Sequence, residues 1–183
     1  VIISIYRADV IRLHSQLESI QNCILPKQCY VEIIARIDNE NESEEVKQTL
    51  RKCNVSIIDD ERNIGYTNSY LLLLKKMPSD FDFIFICDQD DLWLENKLHL
   101  YIDEYNKSNY DLCFSDSTFL IDNIKSGSIF SIPSNKLLLK KYYQKKNTIT
   151  LISLSQICYG HNICITKNLH LALKKHLKLF NYS

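Results

Sequence analysis

The sequence predicts an α/β fold in which a mostly parallel sheet is flanked by helices. Over the first 110 residues, strand-like apolar runs alternate with segments of helical periodicity, the order that builds parallel sheets through right-handed crossovers. The runs at residues 1–6 and 82–87 are almost continuously apolar, as strands covered on both faces must be. Polar clusters follow these runs directly, where open parallel sheets bind their ligands.

The elements follow in order. Residues 1–6 (VIISIY) are β-branched and apolar, a first strand. Asp9 suits the N-cap of a helix running to about residue 22, with Val10, Leu13, Leu17 and Ile20 on one stripe. Pro26 falls in a loop, and residues 30–35 form a second predicted strand. Residues 42–52 read as a helix with acids in its first turn, which oppose the positive end of the helix dipole. Strand 54–58, loop 63–65, helix 66–76, strand 82–87 and helix 94–106 complete the alternation. Residues 110–115 and 118–121 are two further predicted strands. Beyond them the pattern loosens until strand 161–166 and helix 167–180. With 183 residues, no internal repeat and no low-complexity linker, the chain is expected to form one domain over residues 1–183.

Composition narrows the partners. Lys plus Arg equals Asp plus Glu at 22 each, so no global charge draws the chain to nucleic acid. The seven cysteines form no CxxC pair and several lie inside apolar runs, which predicts reduced core thiols and a cytoplasmic protein. No run reaches the ~20 apolar residues of a membrane span. Residues 136–146 (KLLLKKYYQKK) are basic and aromatic, either a solvated helix face or a peripheral contact with the inner membrane face. The chain opens on a strand at Val1 and stops after an apolar helical segment at Ser183, so the sequence is expected to be a fragment.

The most informative segment is FIFICDQDDLWLENK, residues 83–97. Asp88, Asp90 and Asp91 repel one another and call for a cation or full solvation. In an extended chain Asp88 and Asp90 point to one side, which suits one hard divalent cation. Asp91 either contacts the metal or caps the following helix, and Trp93 either belongs to the core or stacks on a sugar. Lys97 either approaches a phosphate or is a surface charge.

Several motifs in this order resemble glycosyltransferase family 2 of the bacterial polysaccharide-synthesis type. They are Ser4-Ile5-Tyr6-Arg7, Gln16 to Ile20, Arg36-Ile37-Asp38-Asn39, Asn63-Ile64-Gly65, Asp88 to Trp93 with Lys97, Ser115-Asp116 and Gly160-His161. The resemblance implies a GT-A fold, a Rossmann-like sheet, and inverting transfer from a nucleotide-diphosphate sugar to a hydroxyl of a glycan or lipid-linked acceptor. It implies Mg²⁺ or Mn²⁺ at Asp88 and Asp90, and donor contacts from Tyr6, Arg36, Asp38, Asn63, Gly65 and Asp88. Residues 1–116 would form the nucleotide-sugar half and residues 117–183 the acceptor half. Asp91, Trp93, Lys97 and His161 would lie on the substrate side. Asp116 is the in-sequence candidate for the base, with the family's own base expected beyond Ser183. Ile37 stands where the family carries an acid, which also leaves open an inactive remnant that at most binds a nucleotide sugar. A phosphatase of the haloacid dehalogenase kind fits less well, because its Asp-x-Asp follows the first strand rather than the fourth.

Overall fold

The computed structural model describes residues 1–58, 62–121, 124–128 and 162–177. They form two compact units, Val1–Cys113 with Cys164–Ser183, and Phe114–Ile163. The first unit is built on a six-stranded sheet of order β3-β2-β1-β4-β8-β5. Its strands are β1 (Ile2–Ile5), β2 (Ile34–Ile37), β3 (Ser56–Ile58), β4 (Phe83–Cys87), β5 (Leu112–Phe114) and β8 (Ile163–Thr166). β1 pairs in parallel with β2 and β4, and β2 with β3, while β8 runs antiparallel to β4. The predicted fold class is therefore the observed one.

Alternation along the strands divides the core in two. Ile3 and Ile5 of β1, Ala35 and Ile37 of β2, and Phe85 and Cys87 of β4 join one apolar cluster. Helices α1 (Val10–Gln21), α2 (Glu44–Lys52) and α4 (Lys97–Ser108) supply Leu13, Leu17, Ile20, Val46, Leu50, Leu98 and Tyr101 to it. Each aliphatic side chain buried there contributes roughly 1.5–3 kcal/mol. Ser4 and Arg36 are paired across β1 and β2 and so share the other face. Both contact Ser69 of α3 (Tyr66–Lys76). Asp9 caps α1 and Ser43 caps α2, each accepting from a backbone N–H three residues on.

Four expectations shift. β2 starts at Ile34 rather than residue 30 and continues through Arg36. The guanidinium is tolerated in a buried strand because Asp38 balances its charge. α4 starts at Lys97, with Asn96 at its N-cap, so Asp91 does not cap it. Residues 91–96 stay irregular because they are pinned to the end of α1: Trp93 N–H donates to Ser19 Oγ and Ile24 N–H to the Glu95 carbonyl. Gln16, absent from the predicted stripe of α1, is fully buried and its Nε2 donates to Cys87 Sγ at 2.6 Å. The second unit carries a strand the sequence reading lacked, β7 (Ile124–Ser128), paired antiparallel with β6 (Thr118–Ile121).

The six described cysteines are all free, and Cys23, Cys53, Cys87 and Cys164 are buried while Cys29 is exposed. Among the described residues no helix is long and apolar enough to cross a membrane. The basic run at 136–146 lies outside the described residues, as does Cys158.

Helix α5 (Lys167–Leu177) closes over the end of α3. Lys174 Nζ donates to the Met77 carbonyl and His170 Nε2 to the Leu74 carbonyl, both at 2.7 Å, a cationic and a neutral donor at a helix C-terminus. The His170 ring is fully buried, and its Nδ1 has no hydrogen-bond partner among the described residues. Burial, and then Lys174, hold its pKa below the ordinary value of about 6.5. Between the folded and unfolded values the unfolded chain binds more protons, so stability is full above about pH 6.5 and falls as the pH drops below it. The denaturant midpoint of the wild-type chain should therefore fall between pH 7.5 and pH 5.5. His170→Gln should flatten that dependence, and an unchanged slope in the variant would assign it to other groups.

Candidate functional site

In the doubly wound sheet the strand order reverses at β1, with β2 and β3 on one side and β4 on the other. Ligands of open α/β sheets bind at such a switch point, beyond the carboxyl ends of the strands. A cavity of about 490 Å³ lies there, lined by Ser4, Tyr6, Asp38, Asn63, Gly65, Tyr66, Asp88, Gln89 and Asp90. β1 contributes Ser4 and the Tyr6 that follows it, β2 leads into Asp38, and β4 empties into Asp88, Gln89 and Asp90. The loop before α3 supplies Asn63 and Gly65. Of the residues singled out from sequence, Tyr6, Asp38, Asn63, Gly65, Asp88 and Asp90 thus share one pocket.

Under the floor runs a polar network. Arg36 is fully buried, and its Nη1 donates to Asp38 Oδ1 at 2.5 Å and to Ser69 Oγ at 3.0 Å. Its Nη2 donates to the Arg62 carbonyl at 2.5 Å. Asp38 Oδ1 also accepts from the Ile64 N–H at 2.8 Å. Arg36 and Asp38 therefore hold residues 62–64 in place, and Arg36 lies beneath the pocket rather than on its wall. Asn63 Oδ1 accepts from Gly65 N–H at 3.1 Å, a side-chain turn that delivers the chain into α3. Gly65 at the N-cap has φ +81° and ψ 158°, a region essentially confined to glycine, and no side chain caps α3. The positive end of the α3 dipole thus opens beside the pocket.

On the opposite wall, Gln89 locks β1 to the acidic loop. Its Oε1 accepts from Tyr6 N–H at 2.8 Å and its Nε2 donates to the Tyr6 carbonyl at 2.9 Å. Asp88 Oδ1 accepts from Tyr66 Oη at 2.9 Å. Tyr70 Oη donates its one proton to the Cys87 carbonyl at 2.5 Å and lies 3.4 Å from Asp88 Oδ1. Strand alternation alone would turn Gln89 away from Asp88 and Asp90, yet all three line the pocket. β4 ends at Cys87, and the bend at residues 89–90 brings them together instead.

The remaining candidates lie elsewhere. Trp93 is 6% exposed and packs on Phe85, with centroids 5.8 Å apart, so it is core. Lys97 Nζ sits 4.0 Å from the Trp93 ring centroid, and burial lowers its pKa. Asp91 is half-buried near Lys97 and Tyr66, and neither Asp91 nor Lys97 is a lining residue. Asp116 is exposed in the second unit, where its Oδ1 accepts from Ser117 N–H at 2.8 Å. His161 lies outside the described residues. Ser4, Tyr66 and Gln89 are pocket residues the sequence reading passed over. Ser4 and Gln89 stand inside motifs already quoted, and Tyr66 follows Gly65 at the first helical position.

The donor set fits a hard cation. Asp88 and Asp90 offer carboxylate oxygens at one pocket, and no thiol or imidazole of the described residues lines it. Among the described residues no three His, Cys, Asp or Glu side chains converge on a metal position, so a cation held here would complete its shell with water and ligand oxygens.

The six-stranded, mostly parallel sheet with its flanking helices is a glycosyltransferase fold of the GT-A, Rossmann-like kind. Among solved structures the chain is similar to S. aureus TarS, a glycosyltransferase, with a TM-score of 0.51 and 18% identity over 61% of this chain and 20% of that one. A shorter TarS structure, residues 1–349, matches with a TM-score of 0.50 and 18% identity over 61% of this chain and 33% of that one. The match thus spans a third or less of each TarS chain. No family model and no curated protein matches the sequence.

Proposed function

We propose that the pocket binds a nucleotide-diphosphate sugar together with Mg²⁺ or Mn²⁺, and that the chain is the donor-binding part of a glycosyltransferase. The reaction would move the sugar, with inversion, to a hydroxyl of a glycan or lipid-linked acceptor in surface polysaccharide synthesis at the cytoplasmic membrane face. One observation carries this reading: Asp38, Asp88 and Asp90 line a switch-point pocket beside the uncapped N-terminus of α3. A diphosphate suits that combination, since a helix N-terminus favours anions and carboxylates hold the hard cation that diphosphate oxygens share. The cation, when bound, supplies positive charge that stabilises the departing diphosphate. Asp88 and Asp90 would hold it, Asp38 would keep the loop at residues 62–64 against the nucleotide, and Tyr6 would offer its half-exposed ring.

Calorimetric titration of the chain with a panel of nucleoside diphosphates, with and without Mn²⁺, tests the reading. Binding that requires the cation is expected, and its absence across the panel would overturn the proposal. Ile37 favours a second reading, binding without transfer: it is 1% exposed in the β2 core, where the resembled family has an acid facing the nucleotide. Cation-dependent binding with no donor hydrolysis or transfer would select it.

A further inference from the structure

We propose that Tyr66 is a positioning residue for the cation site, its phenol hydroxyl fixing the Asp88 carboxylate at the pocket wall as a neutral donor. The role rests on the cation–diphosphate reading of the pocket. Tyr66 is the first residue of α3, lines the cavity and donates to Asp88 Oδ1 at 2.9 Å. Tyr70, one helical turn on, packs edge-on against it with ring centroids 4.9 Å apart and reaches the same oxygen at 3.4 Å. Tyr70 is tied in turn to the Cys87 carbonyl at the end of β4. Tyr66 thus supplies the short hydrogen bond to an Asp88 oxygen from another element, while Tyr70, its proton committed to the Cys87 carbonyl, backs the Tyr66 ring. A phenol is protonated at neutral pH, so the donor adds no charge to the site.

An outer-shell partner of this kind commonly changes metal affinity 10–100-fold. Mn²⁺ titrated into the full chain, by electron paramagnetic resonance with a nucleoside diphosphate present, provides the test. Tyr66→Phe should weaken Mn²⁺ by about 10-fold, while the thermal midpoint stays at its wild-type value. That split separates positioning from a structural role, because loosening of the fold would move both together. Wild-type Mn²⁺ affinity in Tyr66→Phe would overturn the role and leave the pocket reading standing. Wild-type chain that binds neither Mn²⁺ nor nucleoside diphosphate would overturn the pocket reading, and the role with it.

Discussion

Arg36→Met should lower the stability of the chain by about 3–5 kcal/mol, the range seen when one partner of a buried ion pair is removed. Arg36 is 0% exposed and Asp38 2% exposed, so the carboxylate left behind keeps the Ile64 N–H but loses its counter-charge and regains little water. The loss is compounded because one guanidinium serves three partners: Asp38, Ser69 and the Arg62 carbonyl. A cost of that size is a large share of the 5–15 kcal/mol typical of a whole domain. Arg36→Lys keeps the charge but loses the fork, and it should cost less, leaving a folded chain to measure. The double variant Arg36→Met, Asp38→Leu should cost less than the sum of its single changes, because the stranded charge is gone. Urea denaturation midpoints measure all three effects. A drop below about 1 kcal/mol for Arg36→Met would match an exposed ion pair and contradict the buried network.

Asp90→Ala should abolish most of the cation-dependent affinity for a nucleoside diphosphate, a loss of at least about 100-fold, since even outer-shell partners of a metal change affinity 10–100-fold. Asp90 is exposed in the pocket, and the structure gives it no packing role comparable to those of Arg36 or Trp93. Stability should therefore stay within about 0.5 kcal/mol of wild type, the usual range for surface substitutions. Titration with and without Mn²⁺ separates the two effects. If Asp90→Ala leaves the cation-dependent affinity unchanged, the acidic loop does not hold the cation, whatever the fold resembles.

Element types were well marked in the sequence, and boundaries less so. α3 begins and ends where helical periodicity and Gly65 place it, because backbone punctuation is local chemistry. β2 runs two residues past its predicted end because a buried Arg looks like the end of an apolar run. Only its partner, two positions on, makes Arg36 compatible with a core strand. Helix α4 is predicted from residue 94 because Leu94 and Glu95 have good helical propensity, yet contacts at the end of α1 hold residues 91–96 out of the helix.

The candidate site shows the same division. The acidic residues after β4, the Asn63–Gly65 turn and the Tyr6 that follows β1 were legible, since strand ends and turns are written in short-range residue chemistry. Trp93 and Lys97 were ambiguous in sequence, and packing against Phe85 resolved Trp93 as core. Tyr66 gave no signal of its own as the first residue of a helix. Its relation to Asp88 spans 22 positions and exists only because α3 lies across the sheet face to which Asp88 belongs. Periodicity and local turn chemistry, which act over a few residues, set the α/β class, the order of elements and the acidic strand end. Packing settles which residues meet: that Arg36 supports the pocket from below, that Gln89 ties the acidic loop to β1, and that Tyr66 holds Asp88. Those contacts join separate elements, and only the packing of helices on a sheet of fixed strand order brings their side chains within hydrogen-bonding distance.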